Sequence, residues 1–216
     1  VEEMKPYLTL KEDGEAEIII KKSQFICAVA RTETEEQARE FVEKISTKHR
    51  KATHNCYAYM CGLNDEIQRA SDNGEPSGTA GVPILEVLKN LELHNVTAVV
   101  TRYFGGIKLG AGGLIRAYSN ATSHAIEEIG VVKKVVQTQV NLTVSYSQWG
   151  KLQNYLETEK IHLVDTQFAA DVTAVTSVDT PDVEEFIASI VDLMNGQVTI
   201  DKGDESYVEV PVELYK

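Results

Sequence analysis

Thr101-Arg102-Tyr103-Phe104-Gly105-Gly106-Ile107-Lys108-Leu109-Gly110-Ala111-Gly112-Gly113-Leu114-Ile115-Arg116 continues an apolar, β-branched run that begins at Val96. That run lacks strict alternation, so Val96–Phe104 is read as a strand buried on both faces at the centre of a sheet. The glycines then form a loop. Leu114, Tyr118, Ala121 and Ala125 share one face of a helix that follows Gly113 and stops at Gly130. Strand, glycine loop and helix in this order gather free backbone N–H groups at the positive end of a helix dipole, a setting for phosphate or carboxylate. The candidate anion-binding residues here are Arg102, Gly105, Gly106, Lys108, Gly110, Gly112, Gly113 and Arg116. Tight strand–helix packing accounts for some of the same glycines. Two familiar nucleotide motifs fail. A dinucleotide fingerprint starting at Gly110 needs glycine where Ile115 stands, and a Walker A motif starting at Gly105 needs lysine where Ala111 stands.

Upstream lies a second glycine-rich segment, Ser71-Asp72-Asn73-Gly74-Glu75-Pro76-Ser77-Gly78-Thr79-Ala80-Gly81, and eight of the chain's 14 glycines fall between Gly74 and Gly113. Two carboxylates beside hydroxyls make Asp72, Glu75, Ser77 and Thr79 candidates for acid–base work or for positioning a water or cation. The plainer alternative is a structured loop whose side chains bond their own backbone and cap the helix that Pro83 can start. Cys56 and Cys61 have no second Cys or His pair to complete a metal site, so neither metal nor cofactor is expected.

Elsewhere the pattern is α+β. Glu15–Arg31 reads as extended. Thr34-Glu35-Glu36-Gln37 is a capping box ahead of Ala38, Phe41, Val42 and Ile45 at helical spacing, and Cys56–Met60 reads as a strand. From Val140 the rhythm changes to strict alternation, and the order becomes β-α-β-β-α-β, the ferredoxin-like arrangement. Two domains are expected, residues 1–135 and 136–216.

Charge divides along the same line. Of the net −12, residues 1–134 carry −2 and residues 135–216 carry −10. The basic run Lys48-His49-Arg50-Lys51-Ala52-Thr53-His54 lies in the first part, and Lys48, Arg50, Lys51 and His54 join the anion-binding candidates. No apolar stretch approaches the ~18 residues of a membrane span. The opening Val1-Glu2-Glu3-Met4-Lys5-Pro6 has no leader-like pattern, and three unclustered cysteines fit a reducing compartment. A cytoplasmic protein without membrane contact is expected.

The Ser71–Gly81 loop with Pro83-Ile84-Leu85, the Val99–Gly110 stretch, Gly113–Tyr118, Lys22-Ser23-Gln24-Phe25 and His54-Asn55-Cys56-Tyr57-Ala58 closely resemble the YigZ/IMPACT family. The resemblance implies an N-terminal β-α-β domain like domain IV of elongation factor G and a ferredoxin-like C-terminal domain like its domain V. It also implies a setting in translation, since eukaryotic relatives regulate initiation and bacterial ones have a nucleic-acid or ribosome role proposed from fold similarity. It supplies no catalytic residues. The leading expectation is a non-enzymatic protein that binds RNA or the ribosome through the basic face, with the acidic second domain available to a protein partner. The alternatives are an enzyme acting on a small phosphorylated or carboxylated metabolite at the two glycine-rich loops, and a protein-binding regulatory module.

Overall fold

A computed structural model describes residues 3–213; the readings made of Val1, Glu2 and the last three residues lie outside them. The chain folds as α+β with two antiparallel sheets and divides into two compact units. One comprises Tyr7–Lys134 with the residues from Val210 onward, and the other comprises Val135–Glu209 with those up to Pro6.

The first unit runs β1 (Tyr7–Leu10), β2 (Gly14–Ile20), β3 (Ser23–Arg31), α1 (Glu35–Lys48), β4 (His54–Cys61), β5 (Ile67–Ser71), α2 (Gly81–Asn90), β6 (Val96–Tyr103), α3 (Gly110–Ile129) and the start of β7 (Val131–Val144). Its main sheet has the order β2-β3-β6-β4-β5. The central place of β6 explains why its sequence does not alternate. Ala98 and Val100 pack with Ile84, Leu88, Leu114 and Tyr118 of α2 and α3 on one face, while Val99 packs with Ile45 of α1 on the other. Both faces are dry, so the residues there are apolar or have hydrogen-bonded side chains, as Thr97 with Thr32 and Thr101 with Asn55.

Four local features differ from the sequence reading. Glu15–Arg31 is a hairpin whose two turn residues, Lys21 and Lys22, both have positive φ (46° and 66°). The usual Asn-Gly signature of such a turn is missing, which hid it. β1 is only four residues long and pairs with Val131–Lys134, and β5 carries a single large aliphatic residue; neither gives an alternating signal. α3 starts at Gly110, so Gly112 and Gly113 lie inside its first turn. Glycine's helix penalty is ~1 kcal/mol, but at Gly113 a Cβ would stand 3.1 Å from the Leu109 side chain, tighter than ordinary contact, whereas at Gly112 it would meet only the Arg116 side chain at 3.4 Å. Finally, the capping box at α1 is offset by one residue. Thr34 Oγ1 accepts the Gln37 N–H at 3.2 Å, but the Gln37 side chain takes the N–H of Glu33.

The second unit continues β7 and adds α4 (Tyr146–Thr158), β8 (His162–Phe168), β9 (Val172–Asp179), a single tight turn at Thr180–Asp182, α5 (Val183–Leu193) and β10 (Thr199–Val212). β9 lies between β7 and β8, and β10 pairs with β7, giving the β-α-β-β-α-β order. Val140, Leu142 and Val144 point into a core with Leu152, Leu156, Phe186 and Ile190. The intervening residues turn outward and pair through polar groups, as in the 2.9 Å contact of the Thr143 and Thr173 hydroxyls. Among the described residues no helix is long and apolar enough to cross a membrane.

Candidate functional site

Strand register brings three sequence-distant residues side by side: Phe25 on β3 and His54 on β4 both lie opposite Arg102 on β6. Arg102 is only 5% exposed. Its guanidinium carbon lies 5.6 Å from the Phe25 ring centroid and 5.4 Å from that of Phe104, within cation–π range of both. A charge buried this deeply must be paired. Nη1 donates to both carboxylate oxygens of Glu75 at 2.9 Å, and Nη2 donates to Ser23 Oγ at 3.4 Å. Glu75 is itself buried and meets His54 Nε2 at 2.7 Å; the other ring nitrogen, Nδ1, lies 2.8 Å from the Asn73 carbonyl oxygen. The Tyr118 hydroxyl lies beside this cluster and accepts from Cys56 Sγ at 3.4 Å; burial first, then Cys56 and Glu75 nearby, raise its pKa, so it stays neutral.

With both ring nitrogens engaged and the Glu75 carboxylate ringed by donors, this cluster clamps the Ser71–Gly81 loop onto the end of β6. Asp72 has a similar commitment. Its carboxylate accepts the N–H groups of Gly78 (2.9 Å), Ala80 (3.1 Å) and Gly81 (2.9 Å) where α2 begins. Burial pushes the Asp72 carboxyl up, but the three N–H bonds outweigh it and leave the pKa below its ordinary value. The buried Thr79 hydroxyl donates to the Pro76 carbonyl at 2.5 Å, whereas Ser77 is exposed. Cys56 is no nucleophile: burial, aided by Glu75 and Asp72, pushes its thiol up to about 12 despite a Tyr118 hydrogen bond.

Asp72 therefore carries a testable share of the stability. Asp72→Ala leaves three N–H groups without their acceptor and is expected to lose about 1–2 kcal/mol in urea denaturation at neutral pH. A carboxyl with a depressed folded-state pKa stabilises above its unfolded value of 3.8, and that contribution fades as pH falls through the lower folded value. The gap between parent and variant should therefore narrow below pH 3.8. A gap constant across that range would contradict this role.

The basic candidates lie differently. Thr53 N–H donates to the Arg102 carbonyl, the Phe104 N–H donates to Thr53 Oγ1 at 3.0 Å, and His49 Nδ1 lies 2.8 Å from the Tyr103 hydroxyl. These bonds bring the segment after α1 alongside the loop after β6. Arg50, Lys51, Lys108 and Arg116 are exposed; Lys48 is exposed too but lies 3.5 Å from Glu15. Between the two segments is a cleft of about 430 Å³, lined by Thr53, His54, Glu75, Pro76, Arg102, Phe104, Lys108, Leu109, Gly110, Ala111 and Leu114. The two glycine-rich segments thus meet in one place. Phe104 lines the cleft, and Ser23 and Tyr118 lie behind it around Arg102 and Cys56; all three fall in the segments that resemble the family, but residue type alone gives them no role, and Tyr118 reads as one more residue on the packed face of α3. No cluster suited to a metal ion occurs among the described residues.

Comparison with known proteins places both parts of the chain in one family. Residues 21–126 match the Impact N-terminal domain, the segment that contains every residue of the cleft, and residues 142–197 match a domain of unknown function, DUF1949. The chain is 47% identical over 210 residues to IMPACT family member YvyE of Bacillus subtilis, covering 97% of each protein. It is 35% identical over 183 residues to IMPACT family member YigZ of Escherichia coli, covering 84% of this chain and 90% of that one. A solved structure described only as a hypothetical protein aligns with a TM-score of 0.59 at 32% identity, over 91% of this chain and 97% of the other. With such similarity across both domains, the chain belongs to the IMPACT family.

Proposed function

We infer that the protein is an RNA- or ribosome-binding factor acting in translation, and that its N-terminal unit engages phosphates beside the cleft. The division of labour among the candidate residues carries this reading. Asp72, Glu75, His54 and Thr79 spend their polar groups holding the loop, so little is left to activate a substrate. Arg50, Lys51, Lys108 and Arg116 remain exposed, and α3 begins with no side-chain cap on its first N–H groups. Family membership supports the translational setting.

The acidity of the second unit complements this. Thirteen acidic against three basic residues in its Val135–Glu209 stretch would repel nucleic acid, leaving the basic face of the first unit as the surface that engages it. A basic protein, such as a component of the ribosome, is the partner that suits the acidic unit.

The test is binding to structured RNA and to purified ribosomes across a salt series. Four exposed cations engaging about four phosphates give a slope of log K against log[salt] of about −3 to −4. Lys108→Ala is expected to flatten that slope by nearly one unit without altering thermal stability. Equal slopes for parent and variant, or no binding at low salt, would remove the assignment.

A further inference from the structure

The second unit leaves one sheet edge open, and the groups around that edge select a partner. β8 pairs only with β9, and its other side has no strand partner among the described residues. A bare edge is a template for another chain, and proteins usually blunt it with lysine, proline or dense charge. β10 is protected in this way, since its 14 residues include Asp201, Lys202, Asp204, Glu205, Glu209 and Pro211. β8 has no lysine, arginine or proline. A bulge between Leu163 and Asp165 interrupts its register with β9, but Asp165–Phe168 pair regularly. The Thr166 N–H bonds the adjacent Asp165 carboxylate at 2.8 Å, a local substitute for a strand partner.

The two ends of β8 differ in chemistry. Val164 is 55% exposed, Phe168 63% and Tyr146 55%. The Phe168 ring lies edge-on to Trp149, centroids 6.4 Å apart, and the Tyr146 hydroxyl donates to the Ala169 carbonyl at 2.7 Å. Three aromatic rings therefore gather at the Phe168 end, the kind of exposed apolar patch that marks an interaction site. At the other end, His162 lines a cavity of about 400 Å³ with Glu159, Lys160, Asp179, Asp182 and Glu185. None of the four carboxylates has an ion-pair partner among the described residues. The strand that joins the two ends spans roughly 20 Å.

Charge decides what fits along it. With thirteen acidic against three basic residues, Val135–Glu209 carries a net −10. Two such edges would meet with like charge, which disfavours a second copy of this chain, and nucleic acid is repelled by the same sign. We propose that β8 takes an extended, basic protein segment as an added strand. An apolar side chain of that segment rests among Phe168, Tyr146 and Trp149, and a lysine or arginine enters the acidic cavity. In this mode main-chain hydrogen bonds supply affinity and the side chains supply specificity. The proposal rests on the reading that the acidic unit takes a basic protein, and it gives that partner a place and a conformation.

The experiment is selection of a displayed library of random decapeptides on the full chain, followed by affinity measurement with a selected peptide. Selected sequences are expected to be net positive, with an apolar residue about six positions from a lysine or arginine. Glu159→Lys combined with Glu185→Lys should weaken the peptide about tenfold or more, and Phe168→Ser about fivefold or more. All three positions are exposed, so thermal unfolding should stay close to that of the parent. Amide hydrogen exchange in the complex should slow along β8 and leave β10 unchanged. Basic sequences that protect residues elsewhere, or whose affinity neither variant changes, would overturn the β8 proposal and keep the reading it rests on. Sequences without positive charge, or no enrichment, would overturn both. A dimer in light scattering that Val164→Lys dissociates would also overturn the proposal, because a second copy would then cover the edge.

Discussion

Arg102→Ala is expected to destabilise the protein by about 3–5 kcal/mol, because it strands the buried Glu75 carboxylate without its main counter-charge. Desolvation, more than the apolar packing removed, sets the size of the effect. Glu75 has a side-chain exposure of 3% and Arg102 of 6%, so water cannot replace the missing guanidinium. His54 Nε2 still meets the carboxylate, which holds the expectation within that range instead of above it. Truncation also empties the space between Phe25 and Phe104. Urea denaturation of the purified chain measures the loss. The double variant Arg102→Met with Glu75→Leu removes both charges and keeps apolar volume, and should recover most of it. A loss within about 0.5 kcal/mol of zero for Arg102→Ala alone would mean that the pair contributes little to the fold. The same burial decides which residue can probe RNA binding. Arg102→Ala is a poor probe of phosphate binding because it compromises the platform, and Lys108, exposed and outside the ion pair, is the better one.

Much of the fold was legible because the sequence carries strong periodicity where elements are long. The central place of β6 follows from Val96–Thr101 being β-branched or small throughout, with no charged residue on either face. The ferredoxin-like order follows from alternation at Val140–Val144 and helical spacing at Val183–Ile190. What escaped was short or unusual. β1 has four residues, β5 has one large aliphatic residue, and the β2–β3 turn puts two lysines at positive φ. The site was half legible in the same way. Residue types flagged both glycine-rich segments, but no spacing rule foretells that Glu75 of one will be the ion-pair partner of Arg102 in the other, 27 positions away. Sequence reading placed Arg102 among free phosphate-binding cations; the structure puts it in a buried pair with only Nε unengaged. Burial, which converts a basic residue from a ligand contact into part of the scaffold, is a property of the packed state and is invisible residue by residue.

Gly105→Ala is expected to be the other severely destabilising change, costing about 3 kcal/mol or more. A Cβ at that position would stand 2.1 Å from both the carbonyl carbon and oxygen of Lys22 and 2.6 Å from the Ser23 nitrogen. These are backbone atoms of a tight hairpin turn, so no rotamer change relieves the overlap. Moving the loop away would break the Gly105 N–H bond to Ser23 Oγ, an oxygen that also accepts from Arg102 Nη2, so the strain reaches the buried ion pair. Gly106 is the internal control. It has a φ of 87°, and a Cβ there would meet nothing within 4 Å, so alanine faces only the left-handed backbone penalty of about 1–2 kcal/mol. The two adjacent variants, compared by thermal and urea unfolding, therefore separate two reasons for glycine in one loop. Equal losses would refute the close-packing account of Gly105. The expected ordering would mean that Gly105 is fixed by contact with the β2–β3 turn. It would leave Gly106 and Gly110, both at positive φ and facing open space, as the positions where backbone conformation alone favours glycine.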